Sequence, residues 1–296
     1  MLSFLLLLAC APKDSQTNTK QETPVTNHTT IPKDSDIAVQ DKNFSAPESV
    51  LYDKHNDRYL VSNINGKPTA KDANGFISVV TPNGKVTNAK WIDGSSPEIE
   101  LHAPKGMAIV EQRLFVTDID AVRVFDLSTG QQEKTISIPG AKFLNDIAAN
   151  PSHLYVSDMK TNTIHKISPN GTNEPLISAT ELNSPNGLAI RGQELIVVSF
   201  SGNQVHTLTM DGAIKHTDEL PTGSLDGVIL QPDGTALISS WDGDVVYQYK
   251  AGAQTQAILP NIKSPADIGW DSKRNRLLVP MLKENQIWIH NLSAKK

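Results

Sequence analysis

The chain repeats one arrangement of apolar and polar positions six times. Each unit has a short apolar run, a polar turn, a second apolar run and usually a third. Three of the units begin SPNGLAIRGQELIVVSF, FLNDIAANPSHLYVSD and SLDGVILQPDGTALISSW. Short runs rich in β-branched residues and bounded by Gly, Asn and Asp turns are typical of β-strands, and none of the units has a helical period. The pattern therefore predicts an all-β protein.

The six units share a register of about forty residues. One polar residue per unit, which we call the column, marks this register: Glu48, Lys105, Asn145, Asn186, Asp226 and Asp267. The first interval is longer because an insertion, residues 63–75, lies between the second and third strands of the first unit. Four-stranded antiparallel units of this length, arranged around an axis, are the blades of a β-propeller. The sequence therefore predicts a six-bladed β-propeller.

The last unit ends at its third strand, IWIHNL, which only SAKK follows. The segment DIAVQD, residues 36–41, precedes the first unit and has the composition of a strand. We expect this N-terminal strand to complete the last blade and close the ring, because closure removes an exposed sheet edge. The propeller is then predicted to cover residues 36–296. An open β-solenoid is the alternative, against which the lack of a C-terminal cap argues.

Residues 1–10, MLSFLLLLAC, have an apolar core of signal-peptide length that is too short to span a membrane. The end of this segment resembles a bacterial lipobox, which implies cleavage before Cys10 and lipidation of its thiol. No Lys or Arg precedes the apolar run, which departs from the usual signal peptide. The alternative is the apolar N-terminus of a cytoplasmic protein.

Residues 11–35 are mostly Thr, Asn, Gln, Lys, Ser and Pro, and are predicted to form a disordered tether. A lipid anchor, a tether and a folded domain together predict a protein of the bacterial cell envelope that faces the periplasm. Ala11, where some sorting signals have Asp, favours the outer membrane. The lipid on Cys10 would be its only contact with a membrane.

Composition excludes several functional classes. The 296 residues are 38% hydrophobic and 20% charged, with a net charge of −5, as in a soluble globular protein. The chain has no cluster of Lys and Arg of the kind that would predict a nucleic-acid partner. The chain has no Gly-x-Ser-x-Gly, no His-Glu-x-x-His and no thiol except that of Cys10. We expect a monomer that acts on a small molecule.

The column has two interpretations. We expect each of its residues to lie just before the innermost strand of a blade, so that all six converge on one mouth of the central channel. Asn and Asp beside a strand often form turns, and Asn186–Gly187 alone is a strong turn signal. All six side chains are polar, however, and most carry the oxygen ligands that a hard divalent cation binds. A cation would also relieve the repulsion among the three acids.

Four motifs in the correct order resemble those of the regucalcin/gluconolactonase family of six-bladed propellers, which grades into strictosidine-synthase-like proteins. They are Pro-Glu at 47–48, Phe-Leu-Asn-Asp at 143–146, Ser-Pro-Asn-Gly-Leu at 184–188 and Leu-Asp-Gly at 225–227. The resemblance implies one divalent metal bound by Glu48, Asn145, Asn186 and Asp226. We expect Ca²⁺, with Zn²⁺, Mn²⁺ and Mg²⁺ as alternatives. It also implies a metal-dependent hydrolase of a lactone, a sugar-acid ester or a similar small ester.

The resemblance also suggests roles for individual residues. Asp226 would be the catalytic proton acceptor, and Lys105 would stabilise the oxyanion or a substrate carboxylate unless it is simply a lysine of the rim. His102, Lys105 and Asp267 are expected to bind substrate. The family's Glu-Gly-Pro-x-Trp phrase reads Glu-Ser-Val-Leu-Tyr from Glu48 onward, which is a departure. The alternative function is a non-catalytic, metal-stabilised propeller that binds a ligand or protein at the cell envelope.

Overall fold

The computed structural model describes residues 35–168 and 170–293. The predicted signal peptide, Cys10 and all but the end of the tether lie outside these residues. The described chain forms six four-stranded antiparallel sheets, which confirms the predicted six-bladed propeller. Two 3-10 turns, Thr180–Leu182 and Leu282–Glu284, interrupt the strands. None of its helical segments is long and apolar enough to cross a membrane.

The strands are numbered in chain order, and blades 1 to 5 each use four consecutive strands. Blade 1 comprises β2 (Pro47–Asp53), β3 (Arg58–Asn63), β4 (Phe76–Val80) and β5 (Val86–Asp93). Blade 2 comprises β6 (Pro104–Val110), β7 (Arg113–Asp118), β8 (Ala121–Asp126) and β9 (Gln132–Ser137). Blade 3 comprises β10 (Leu144–Ala149), β11 (Leu154–Asp158), β12 (Thr163–Ile167) and β13 (Asn173–Ser178). Blade 4 comprises β14 (Pro185–Arg191), β15 (Glu194–Ser199), β16 (Gln204–Thr209) and β17 (Ile214–Glu219). Blade 5 comprises β18 (Leu225–Leu230), β19 (Ala236–Ser240), β20 (Val245–Tyr249) and β21 (Gln256–Pro260).

Blade 6 is completed by the N-terminal strand, as the sequence predicts. It contains β22 (Gly269–Asp271), β23 (Arg276–Met281), β24 (Gln286–Asn291) and β1 (Ile37–Gln40), in that order. β1 pairs with β24 from Ile37↔Ile289 to Gln40↔Gln286. The Asp36 carboxylate also accepts a hydrogen bond of 3.0 Å from the backbone N–H of Asn291. The first and last segments of the propeller are thus joined in one sheet.

The core lies between the blades. Six clusters of buried apolar side chains each combine residues of two neighbouring blades. Leu60 and Val61 are adjacent on β3, yet Leu60 packs against blade 2 and Val61 against blade 6. Successive side chains of a strand point to opposite faces, so an inner strand with two buried faces needs apolar residues at consecutive positions. This explains the unbroken apolar runs that define the repeat.

The outermost strands have a different composition. β17, of sequence IKHTDE, is exposed at five of its six positions. Charged side chains on an edge strand hinder pairing with another molecule's sheet. Apolar packing therefore concentrates towards the axis, where the column lies.

Candidate functional site

Five column residues lie inside the innermost strands rather than just before them, which corrects the sequence-based expectation. Each is the second residue of its strand, as Asn186 is in β14. A register irregularity follows at once, between Pro185 and Leu188 in blade 4 and at the equivalent positions of blades 1, 2, 3 and 5. A β-bulge bends a strand and redirects the local side chain. In blade 6, Asp267 precedes β22 and forms an isolated parallel bridge with Ser49.

Hydroxyl groups of the second strands support these bulges. Ser62, Ser157 and Ser239 accept hydrogen bonds of 2.8–2.9 Å from the backbone N–H that follows the column residue in their own blade. Ser239 also donates to the carbonyl oxygen of Ala266, 2.8 Å away in the next blade. Sequence reasoning missed these residues, although a Ser recurs before the last residue of the second strand in three units.

Gly187 serves close packing and not a turn. It lies in β14, outside the positive-φ region, and a Cβ placed on it would lie 2.2 Å from the carbonyl oxygen of Asp226. Gly227 is similar, because its Cβ would lie 2.4 Å from the backbone nitrogen of Ile268. The turn signal of Asn186–Gly187 was therefore misleading: here glycine allows the inner strands of neighbouring blades to approach.

Asp146 takes the corresponding position in blade 3. Its carboxylate accepts hydrogen bonds of 2.6 Å from the backbone N–H groups of Ile147 and Leu188, the second of which lies on the inner strand of blade 4. Ser49 takes the position in blade 1 and donates to the Asp267 carboxylate. Sequence reasoning missed both residues, although Asp146 stands in the Phe-Leu-Asn-Asp motif.

The column acids and Asp146 meet at the axis. We call Glu48, Asp146, Asp226 and Asp267, with Lys105, the axial cluster. All five are at most 9% exposed, and the charge of at least one other acid raises the pKa values of Glu48, Asp226 and Asp267. The backbone N–H of Asp267 donates to the carbonyl of Glu48 at 2.9 Å, and the Asn186 side chain hydrogen-bonds to the Asp226 carboxylate.

Burial and mutual repulsion make ionisation of these acids costly. Burial, followed by the charge of Asp146, raises the pKa of Asp226 to about 8. Burial raises the pKa of Asp146 to about 6, against its two backbone hydrogen bonds, and raises the pKa values of Glu48 and Asp267 well above their usual range. Ionisation of all four carboxyl groups therefore calls for an added positive charge.

Three predicted metal ligands present buried oxygens that lack a hydrogen-bond partner among the described residues: Glu48 Oε2, Asn145 Oδ1 and Asp226 Oδ1. Unpartnered polar atoms are rare in protein interiors and need an explanation. The donor set, two carboxylates and two amides, suits a hard cation whose shell is completed by water. No three His, Cys, Asp or Glu side chains in the described chain form a metal-binding group by themselves. The fit therefore depends on the amide oxygens of Asn145 and Asn186.

Lys105 is held beside this cluster by the insertion. Its Nζ donates to the carbonyl oxygens of Ala103 at 2.9 Å and of Pro68 in the insertion at 3.1 Å. It also lies 4.7 Å from the centre of the Phe143 ring. Burial lowers the pKa of Lys105 to about 8 despite the nearby carboxylate of Glu48. Two of the three N–H donors of its ammonium group are thus used by carbonyls.

His102 is held by the insertion and by Glu100. Its Nδ1 accepts a hydrogen bond of 3.0 Å from the backbone N–H of Ala73 in the insertion. Its Nε2 lies 3.4 Å from the Glu100 carboxylate. Both ring nitrogens thus have partners, and the imidazole fixes the end of the insertion. Its predicted contact with substrate stays a prediction.

No protein-family model and no curated protein sequence matches the chain. Solved structures do. A streptogramin B lyase superimposes with a TM-score of 0.63 at 13% identity, over 86% of this chain and 96% of that one. A gluconolactonase from Xanthomonas campestris superimposes with a TM-score of 0.65 at 18% identity, over 83% and 86%.

The propeller architecture also matches a chain of a nidogen/laminin complex, with a TM-score of 0.58 at 17% identity over 79% of this chain and 83% of that one. At such identities the likeness establishes the fold alone. Chains with this architecture include enzymes and members of protein complexes, so the chemistry has to be argued from the site.

Proposed function

We propose that this protein is a divalent-metal-dependent hydrolase of a lactone or a similar small ester. The observation that carries the proposal is the set of unpartnered buried oxygens on Glu48, Asn145 and Asp226. They belong to three different blades, and the column register selects all three residues independently of the structure. Asn186 completes the proposed ligand set. Lactone chemistry is supported by the motif resemblance and by a gluconolactonase among the structural neighbours.

A divalent cation at this site would polarise a lactone carbonyl and offset the negative charge of the carboxylates. Asp226 would take a proton from an attacking water and return it to the ring oxygen as the C–O bond breaks. The remaining donor of the Lys105 ammonium group would stabilise charge on the former carbonyl oxygen. Asp267, held by Ser49, and His102 are proposed to orient the substrate. Water is added across the ester bond, and the product is a hydroxy acid.

Calorimetry on the chelator-treated protein tests the metal site. We expect about one Ca²⁺ per chain, with Mn²⁺, Zn²⁺ and Mg²⁺ as comparisons. Asn145→Leu and Asn186→Leu should abolish binding, because they remove an oxygen ligand and keep the volume. Thr161→Val is the matched control, because Thr161 Oγ1 is also unpartnered but belongs to no predicted ligand set. Absence of binding by all four ions would refute the site.

A lactone panel tests the chemistry. Asp226→Ala should abolish hydrolysis while the circular dichroism spectrum of the propeller is kept. Turnover that is insensitive to both chelator and Asp226→Ala would contradict the proposal. Metal binding without turnover of any lactone would favour the alternative, a metal-stabilised propeller that binds a ligand or protein at the cell envelope.

The proposed cellular setting is a lipid-anchored monomer facing the periplasm, favoured at the outer membrane. Expression of the full chain in a bacterial host with mass spectrometry of the N-terminal peptide tests it, with Cys10→Ser as the control. We expect a diacylglyceryl-modified Cys10 in the membrane fraction and a soluble Cys10→Ser product. An unmodified, soluble wild-type protein would contradict this setting.

A further inference from the structure

A second set of equivalent residues surrounds the column at the same mouth. The first residue after each second strand is apolar in all six blades: Ile64, Ile119, Met159, Phe200, Trp241 and Leu282. The end of a second strand pairs with the beginning of the inner strand, as Ser199 does with Pro185. Backbone N–H groups of Phe200 and Trp241 donate at 2.8 Å to residues two positions before a column member, Ser184 and Ser224. These side chains therefore border the axial cluster.

The two sides of this apolar ring differ in packing. On one side, Ile64 and Ile119 are buried with Ala103, and Leu282 packs against them. On the other side, Met159, Phe200 and Trp241 are only half-buried. The rings of Phe200 and Trp241 are 6.0 Å apart at 47°, so the two residues form a continuous aromatic surface across blades 4 and 5.

Met159, in blade 3, contacts one of the proposed ligands. Asn145 Nδ2 lies 2.8 Å from the sulfur of Met159, so the thioether contacts the same side chain whose Oδ1 has no partner. At the outer edge, Lys283 Nζ lies 3.9 Å from the centre of the Trp241 ring. Met159 therefore lies at the polar centre, and the Phe200–Trp241 pair lies on the next two blades, with Trp241 against Lys283.

The surface favours an alkyl chain over the hydroxyl groups of a sugar. Each sugar hydroxyl that is buried against a thioether or a ring face loses hydrogen bonds to water without a replacement. An alkyl chain has no hydrogen bonds to water to lose there, and removal of its apolar surface from water is favourable. Aromatic side chains and methionine are also adaptable partners for flexible chains.

We infer that Met159, Phe200 and Trp241 form an apolar subsite that selects lactones carrying an unbranched alkyl or acyl tail, with the lactone ring towards the axial cluster. The reaction in this statement rests on the proposed function. Binding of the tail does not, because it involves no metal and no bond cleavage.

The test measures binding of hexanoate, octanoate, decanoate and dodecanoate to chelator-treated protein by calorimetry, below their micelle concentrations. Affinity should rise up to about fourfold for each added methylene. Trp241→Ala and Phe200→Ala should each weaken dodecanoate binding at least about tenfold. Trp91→Ala is the matched control, because Trp91 stacks under Arg58 on the outermost strand of blade 1. If Trp241→Ala unfolds, Phe200→Asn gives the same comparison.

Affinity that is independent of tail length, or an equal loss in Trp91→Ala, would overturn the inference. Lactone assays with Ca²⁺ separate it from the proposed function. Tail-dependent binding without turnover of any lactone supports the subsite and refutes the hydrolase. Hydrolysis of gluconolactone at least as efficient as that of long-tailed lactones supports the hydrolase and refutes the subsite.

Discussion

Asp226 at the channel axis and Asp271 between blades 6 and 1 are both buried aspartates, but their surroundings differ. Asp271 is 0% exposed and accepts hydrogen bonds from the Tyr59 hydroxyl at 2.6 Å and from Arg274 Nη1 at 2.9 Å. Its other oxygen accepts two backbone N–H groups. Asp226 has an oxygen without a partner among the described residues, and Asp146 is the charge that raises its pKa most.

The difference separates charges that are balanced within the fold from charges that are not. We call Asp57, Asp271, Tyr59, Lys273 and Arg274 the seam cluster. The two acids of this cluster are surrounded by enough cations and hydrogen-bond donors to be stable without a further ligand. The cluster joins the two ends of the ring. The axial acids have one ammonium group among four carboxyl groups. A buried arrangement that is incomplete by itself is typical of a ligand or catalytic site.

Conversion of each aspartate to asparagine should change stability in opposite directions. Asp271→Asn removes the buried one of the two carboxylates that pair with Arg274, and it should lower the free energy of unfolding by about 3 kcal/mol. Asp226→Asn removes a carboxylate whose ionisation is costly, and near pH 8 should raise the stability of chelated protein by at least about 1.4 kcal/mol. Urea unfolding measures both. Destabilisation by Asp226→Asn without metal would remove the contrast.

The pH dependence of stability should also differ between the clusters. The raised pKa of Asp226 means that the folded chain holds a proton that the unfolded chain releases above its ordinary pKa. Stability of the chelated protein should therefore fall as the pH rises from about 4 to about 8. The pKa of Lys105 is lowered to about 8, so its titration makes stability rise with pH, but only above that value. Melting temperatures with chelator should show the decline, and added Ca²⁺ should suppress it.

The seam cluster should instead make stability depend on pH only in acid. Hydrogen bonds from Arg274 and Lys273 hold the pKa of Asp57 below its usual range. The contribution of Asp57 to stability is present above the ordinary aspartate pKa and is lost as the pH falls below that value. If the stability of the chelated protein falls only at acid pH, burial does not disfavour ionisation of the axial carboxyl groups.

Gly187→Ala tests how closely the blades must approach for the axial cluster to form. The new Cβ would lie 2.2 Å from the Asp226 carbonyl, so the inner strands of blades 4 and 5 must separate. We expect a loss of about 2–3 kcal/mol and weaker metal binding. Gly192→Ala is the control: it has no atom within 4 Å but a φ of +61°, and should cost about 1 kcal/mol without changing metal binding. Equal metal affinity in both variants would contradict the role of Gly187.

Much of the architecture could be predicted from the sequence because each blade has its own recognisable pattern of apolar runs and polar turns. Two buried faces require unbroken apolar runs, and the unit that lacks a strand implies β1 as its source. The column register also identified residues that the structure brings to the axis, among them Glu48 and Asp226.

Features that depend on distances between blades could not be predicted from one unit. The contact of Asp146 with Leu188 and the hydrogen bond from Lys105 to the carbonyl oxygen of Pro68 both arise where separate repeats meet. Local turn rules gave the wrong reason for Gly187, because its neighbour in space lies about forty residues away in sequence. Sequence reasoning also missed the set of apolar residues that follow the second strands, because their importance depends on the mouth they border.

Lys273→Ala should have the smallest effect and shows what stabilises the seam. Lys273 Nζ is 2.7 Å from the Asp57 carboxylate, but the lysine and aspartate side chains are 60% and 38% exposed. Asp57 also keeps two hydrogen bonds from Arg274. We expect a change within about 0.5 kcal/mol in urea unfolding. Arg274→Ala, which also strips the buried Asp271 of its cation, should cost several times more. Similar losses in both variants would mean that exposed charge, and not the buried carboxylate, accounts for the stability of the seam.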